Sequence, residues 1–247
     1  MVDCMEDVYL SLQNLAIYIA GNSFGGNVTS DEDGEYDVLR EQYASPNSDT
    51  MPSYIVQASN GLDVQAAVMF GAECGYKITP RSRGHSYLGI SSCNSDEDPC
   101  IQLDVGMIDH INITVSEVDG GKQLHIGPGV PLDGMAKVLV GENVFVPAGE
   151  CNDIGIGGHV QTGGFGPWGA LFGAFSHYVD SFKIVLADGS LHSVTKPKHR
   201  ETSKLNDDLF YAVLGGASGS YGVIVDVCLN TVKEDEYYSF YWEVNFL

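Results

Sequence analysis

Gly149-Glu150-Cys151-Asn152-Asp153-Ile154-Gly155-Ile156-Gly157-Gly158-His159-Val160-Gln161-Thr162-Gly163-Gly164-Phe165-Gly166 is the stretch on which the reading of this chain turns. Seven of these eighteen residues are glycine. Ile154, Ile156, Val160 and Phe165 lie among them, which argues for burial rather than for a solvated loop. Buried backbone N–H and C=O groups need partners. A flat ligand with ring carbonyls and nitrogens would supply them. A G-x-G-x-x-G dinucleotide turn would need glycine where Val160 stands, and Gly163-Gly164 argues against a helix after it. The Gly-Lys-Ser/Thr of a phosphate loop is absent. The bland reading is a glycine-rich surface loop.

Two further stretches bear on it. Pro80-Arg81-Ser82-Arg83-Gly84-His85-Ser86-Tyr87 follows an apolar run and offers a glycine, hydroxyls and two arginines, the makings of an anion cradle. The chain has only 12 Lys and Arg, so two in one loop are informative. Leu214-Gly215-Gly216-Ala217-Ser218-Gly219-Ser220-Tyr221-Gly222-Val223-Ile224 reads by itself as a helix end, a turn and a strand start.

Composition narrows the partners. With 33 Asp and Glu the net charge is −21, a field that repels phosphate backbones and anionic membrane surfaces, so no nucleic-acid or membrane partner is expected. Hydrophobic residues at 44% suffice for a core. No segment is long and apolar enough to span a bilayer. The start lacks the basic region of a signal peptide. The expected location is therefore intracellular, or secreted if the N-terminus is incomplete. Six cysteines are too few for a disulfide scaffold, but Cys93 and Cys100 flank an acidic loop and could pair in an oxidising compartment. Two N-glycosylation sequons, Asn27-Val28-Thr29 and Asn112-Ile113-Thr114, are of a kind that arises often by chance.

Periodicity predicts a helix over residues 1–20 and a polar surface segment over 21–52. A strand follows at Tyr54–Val56, then a helix from Val64 to Cys74 with Asp63 as N-cap and Gly75 beyond its end. Strands are expected at Tyr76–Thr79, Cys100–Asp104, Ile111–Val115, Gln123–Ile126 and Val144–Val146. Leu132–Val140 reads as a short helix. A hairpin turns at Asp188-Gly189 between Phe182–Leu186 and Leu191–Val194. Asp207–Leu214 is helical, Val223–Thr231 a strand, and Tyr237–Leu247 alternates like a strand that stops midway, which reads as a fragment. Irregular alternation of helices and hairpins predicts an α+β fold.

Taken together and in order, R-S-x-G-H-S-Y, then G-x-C-x-x-x-G-I-G-G-H with its trailing glycines, then G-G-x-x-G-x-x-G-V-I resemble FAD-linked oxidoreductases of the berberine bridge enzyme and vanillyl-alcohol oxidase type, from about Met51 to Val232. The resemblance implies a PCMH-type FAD-binding domain of two α/β subdomains, 51–114 and 115–232. Residues 1–50 would be an N-terminal helix and surface segment, and 233–247 the start of a missing substrate domain. It implies that Arg81, Ser82, Arg83, Gly84, His85, Ser86 and Tyr87 wrap the FAD pyrophosphate, with the arginines offsetting its charge. His85 would be joined covalently to the flavin, and Cys151 would be a second attachment point. Gly155, Gly157, Gly158 and His159 would run along the isoalloxazine, with Gln161 and Phe165 near the ribityl and phosphate side. Gly222, Val223 and Ile224 would hold the adenine end. No metal is implied, and the catalytic base would lie in the later domain. Arg83-Gly84 before the histidine is closer to the cytokinin dehydrogenase branch, and Phe175-Ser176-His177-Tyr178 departs from the usual Tyr-Gly-Leu.

The implied activity is an oxidase taking hydride from an alcohol, sugar or amine, with dioxygen as acceptor. The alternatives are a flavin-binding module without turnover and an unrelated acidic α+β binding protein.

Overall fold

The computed structural model describes residues 4, 7–43, 50–96, 98–115, 121–197 and 203–233. In chain order these form α1 (Val8–Ala20), β1 (Asn27–Thr29), α2 (Tyr36–Arg40), β2 (Tyr54–Gln57), α3 (Gly61–Cys74), β3 (Lys77–Arg81), β4 (Cys100–Asp104), β5 (Ile111–Val115) and β6 (Lys122–Ile126). There follow α4 (Leu132–Gly141), β7 (Val144–Phe145), α5 (Ile156–Gln161), α6 (Gly169–Phe172), β8 (Val179–Val185), β9 (Leu191–Thr195), α7 (Lys204–Leu214), β10 (Val223–Asn230) and β11 (Val232–Lys233). The expected strand at Tyr237–Leu247 lies outside the described residues.

Two sheets organise most of these elements, and β7 pairs with β11 in a separate antiparallel two-stranded sheet. The first has the order β1-β2-β4-β3, with β2 and β3 parallel to β4 and β1 antiparallel at the edge. The β2–α3–β3 unit is what parallel pairing requires: a helix long enough to carry the chain back across the sheet. Every residue of β4 is buried, as expected of a central parallel strand. α1 packs on α3 through Leu12, Leu15 and Ala16, all buried, against the core built around Phe70, Ile101 and Leu103. A buried Phe or Leu of this kind contributes about 1.5–3 kcal/mol.

The second sheet is antiparallel, in the order β5-β6-β10-β8-β9. One face, with Leu124, Ile126, Phe182, Ile184, Val227 and Leu229, forms a second core under α4 and α7. The first sheet ends at Asp104 and the second begins at Ile111, so β5, expected before the division at 114/115, pairs with β6. Among the described residues no helix is long and apolar enough to cross a membrane.

Several expectations need correction. Residues 21–52 are not merely a surface segment: they hold β1 and α2, and Phe24 and Tyr36 are buried. The Tyr36 hydroxyl donates to the Pro52 carbonyl at 2.7 Å. Isolated aromatic anchors in a polar stretch leave no periodicity to read. The N-cap of α3 is Asn60, whose side chain accepts from the Leu62 and Asp63 N–H groups, so the helix starts at Gly61. Asp63 instead turns its carboxylate back to the N–H groups of Gly25 and Ser59, both at 2.9 Å. Gly75 ends the helix in the left-handed conformation, at φ 75°. The glycine run does contain a helix, α5, because Gly163 and Gly164 fall just past its end with φ 89° and 72°. Cys93 and Cys100 are joined, and a second disulfide, Cys4–Cys74, ties the chain start to the end of α3 across 70 residues.

Candidate functional site

Between the two sheets lies a small cleft with an interior volume of about 40 Å³, open to solvent on one side. Three segments line it: the turn after β3 through Pro80 and Ser82, the glycine run through Gly157, Gly158 and Gln161, and the loop into β10 through Ser218, Gly219, Gly222, Val223 and Ile224. Val105 and Pro128 complete the wall. The three motifs dispersed along the sequence thus meet in one place.

Close backbone approach explains the glycines. A Cβ on Gly155 would overlap the Ser82 hydroxyl, which donates to the Pro128 carbonyl at 2.7 Å. A Cβ on Gly157 would stand 2.9 Å from Pro128 Cβ, and one on Gly222, at φ 150°, would overlap the Val185 carbonyl oxygen. Gly158 differs. Its Cβ would meet nothing within 4 Å, because that side faces the cleft. Gln161 joins two walls: its amide donates to the Gly157 carbonyl at 2.7 Å and accepts from the Gly219 N–H at 3.1 Å. The Gly216 N–H also donates to the Gln161 carbonyl, at 3.0 Å.

The histidine-bearing turn is fixed on both sides. Arg83 donates from Nε and Nη2 to Asp153 Oδ1 at 2.9 and 2.6 Å, tying the turn to the start of the glycine run. The His85 ring stacks on Tyr43 with centroids 4.1 Å apart. Its Nε2 is buried without a hydrogen-bond partner, 3.9 Å from Asp153 Oδ2. Burial pulls the His85 imidazole below its ordinary value; Asp153 opposes this, and Arg83 and Arg81 add to it. His85 is thereby held neutral at pH 7, the state in which a ring nitrogen has a free lone pair.

Both arginines expected to offset a bound anion are paired within the chain. Arg81 pairs through Nε with Asp104 Oδ2 at 3.2 Å, and Arg83 with Asp153, so each cation already has a carboxylate of this chain. Burial pulls Arg81 down and pushes the Asp104 carboxyl up, each against the effect of its partner.

Four other expected residues lie elsewhere. Phe165 and Tyr87 are largely exposed and line no part of the cleft. Cys151 is an exposed free thiol, also outside the cleft lining. His159 is buried on the core side of α5, where its Nε2 accepts the Gly149 N–H at 3.2 Å and its ring packs against Phe175. Sequence reasoning missed Val105 and Pro128, whose only signal was proximity to strand ends, and it left Pro80, Ser218 and Gly219 out of the site although they belong to the quoted motifs.

Burial lowers the His159 imidazole to about 4. In the unfolded chain it titrates near its ordinary value of about 6.5, so between those values the unfolded state takes up a proton that the folded state refuses. Stability is complete above pH 6.5 and lost as pH falls toward 4. The expected loss between pH 7 and pH 5 is about 2 kcal/mol. Urea unfolding at both pH values should show it, and His159→Gln should remove that part of the slope.

The lining is mostly glycine backbone and small side chains, a wall against which a flat ligand such as a flavin can lie, while His85 sits outside that lining on the turn that carries Ser82. The chain matches the profile of the FAD binding domain over residues 52–195, more than half its length. It is 31% identical over 182 residues to the FAD-linked oxidoreductase pynB of Aspergillus niger, covering 74% of this chain and 31% of that protein. It is 32% identical over 196 residues to the xylooligosaccharide oxidase of Thermothelomyces thermophilus, covering 76% of this chain and 36% of that one. It therefore spans about a third of the length of these curated relatives. The solved structure of Physcomitrella patens BBE-like 1 superposes with a TM-score of 0.74 at 23% identity, over 90% of this chain and 44% of that one. With the three motifs converging on one cleft, these matches establish that the chain belongs to the FAD-binding-domain family of berberine bridge enzyme-like, FAD-linked oxidoreductases.

Proposed function

We propose that this chain is the flavin-carrying part of an oxidase acting on a small alcohol, sugar or amine, with FAD lying across the cleft and held covalently by His85. The observation that carries the reading is the shared cleft, lined by Ser82 from the histidine turn, Gly157, Gly158 and Gln161 from the glycine run, and Gly219 to Ile224 from the third motif. FAD supplies the redox chemistry, accepting hydride from substrate and passing electrons to dioxygen. The residues of the chain bind and orient it. Gly157 and Gly158 give the ring a flat floor, Gln161 holds the floor against the Gly219 loop, and Ser82 with the backbone around it faces the diphosphate. Arg83 and Asp153 fix the turn so that the neutral His85 ring keeps its position. Cys151 is the second attachment point in this reading: it lies outside the cleft lining but two residues from Asp153, which Arg83 ties to the histidine turn. A sugar substrate is supported by the likeness to a xylooligosaccharide oxidase.

Acid precipitation tests the linkage. Flavin should stay with the wild-type pellet and pass entirely to the supernatant from the His85→Ala, Cys151→Ser double variant; release from wild type would contradict it. Turnover is tested by anaerobic mixing of the flavin-loaded chain with oligosaccharides, primary alcohols and amines. Loss of oxidised-flavin absorbance with one of these, regained in air, is expected. No bleaching with any of them would leave a flavin carrier without turnover.

A further inference from the structure

The Asn112-Ile113-Thr114 sequon lies within β5, at the end of the second sheet. Strand alternation divides it cleanly. Ile111 and Ile113 pack on the core, whereas Asn112 and Thr114 are exposed on the other face. The floor around them is polar: Asn112 pairs across the ladder with His125, and Thr114 with Gln123. Next in the same rows come Cys228 and Asn230. The Thr114 hydroxyl is 3.1 Å from His125 Nε2 and otherwise open. The other sequon contrasts with this. Thr29 is only 7% exposed, and the Asn27 amide is turned toward the Met107 sulfur at 3.9 Å.

Two further observations bear on this surface. Cys4–Cys74 and Cys93–Cys100 are both disulfides, which persist in oxidising compartments and are rare in the cytosol. In addition, the described strands leave the outer side of β5 unpaired. An exposed edge is a template for aggregation unless something bulky or charged guards it, and β5 itself carries no charged residue. A carbohydrate beside it would serve as that guard.

We propose that Asn112 is N-glycosylated and that the protein passes through the secretory pathway. The step is a substitution without redox change. The Asn112 amide nitrogen bonds to the anomeric carbon of a lipid-pyrophosphate-linked oligosaccharide. The C1–O bond to the pyrophosphate breaks, the lipid pyrophosphate leaves with the electron pair, and the amide nitrogen gives up one proton.

The test uses protein purified from the organism that makes it, treated with an N-glycan-releasing amidase in ¹⁸O water and digested. The peptide carrying Asn112 should carry the label in more than half of its copies. Asn112→Gln, expressed in the same organism, should lose the corresponding shift in electrophoretic mobility while both disulfides remain. An unlabelled Asn112 peptide, or a mobility shift unchanged in Asn112→Gln, would overturn the proposal.

Discussion

Replacing Gly158 with leucine is expected to weaken FAD binding by at least about 100-fold, equivalent to about 2.7 kcal/mol, without lowering the thermal midpoint. The two outcomes separate because of where the new side chain goes. A Cβ at this position touches nothing in the protein within 4 Å, so leucine enters the cleft instead of the core. Gly158 lies inside α5, where leucine is favoured over glycine by roughly 0.5–1 kcal/mol. The neighbouring Gly157→Leu is the control: its side chain would be driven into Pro128, and it should lose stability as well as flavin. Isothermal titration with FAD and a thermal melt of each variant measure the two effects. Undiminished binding by Gly158→Leu would mean that the flavin lies elsewhere.

Asp104→Ala is expected to cost about 3–5 kcal/mol in folding stability, because it strands a buried cation. Asp104 ends the central strand β4. Its Oδ2 faces Arg81 Nε, and its Oδ1 accepts the Gly106 N–H at 2.7 Å. Side-chain exposure is 11% for Arg81 and 12% for Asp104. Arg81 Nη1 already lacks a hydrogen-bond partner, and Gly84, at φ 73°, packs its backbone against the guanidinium. Removing the carboxylate leaves the cation with only the weaker attraction of Glu41, and a loss of this size is a large part of a typical domain's 5–15 kcal/mol. Replacing both residues by leucine should recover much of it, since a well-packed apolar pair can substitute for a buried ion pair. Urea unfolding of the single and double variants measures the cycle. A loss below about 1 kcal/mol for Asp104→Ala would show the pair to be solvated. The histidine turn hangs from Arg81, so flavin uptake should fall with stability in this variant.

Local chemistry with a strong signature was legible in the sequence. The β2–α3–β3 unit, the Asp188-Gly189 hairpin and the closing Gly75 all follow from patterns within a few residues, whereas the meeting of the three motifs was implied by the family resemblance and not by any local pattern. What was hidden depends on long-range partners. The sequence displays Arg81 and Arg83 as free cations in an acidic chain, yet Asp104 and Asp153 claim them only after β4 and the glycine run have folded beside them. His159 looks like a ligand-facing histidine, and only the packing of Phe175 and the Gly149 N–H shows it to be a core residue. Asp63 is a plausible N-cap by type, but Asn60 has the reach to the first free N–H groups while Asp63 is occupied by Gly25 and Ser59. The Cys4–Cys74 bridge spans a separation at which spacing carries no information.

The central claim is that the histidine turn and the glycine run enclose one flavin. Gel filtration of the wild-type chain after incubation with excess FAD, monitored at the flavin and protein absorbance bands, addresses it directly. The account predicts flavin co-eluting at one per chain. A colourless protein peak with all the FAD in the small-molecule fraction would contradict it.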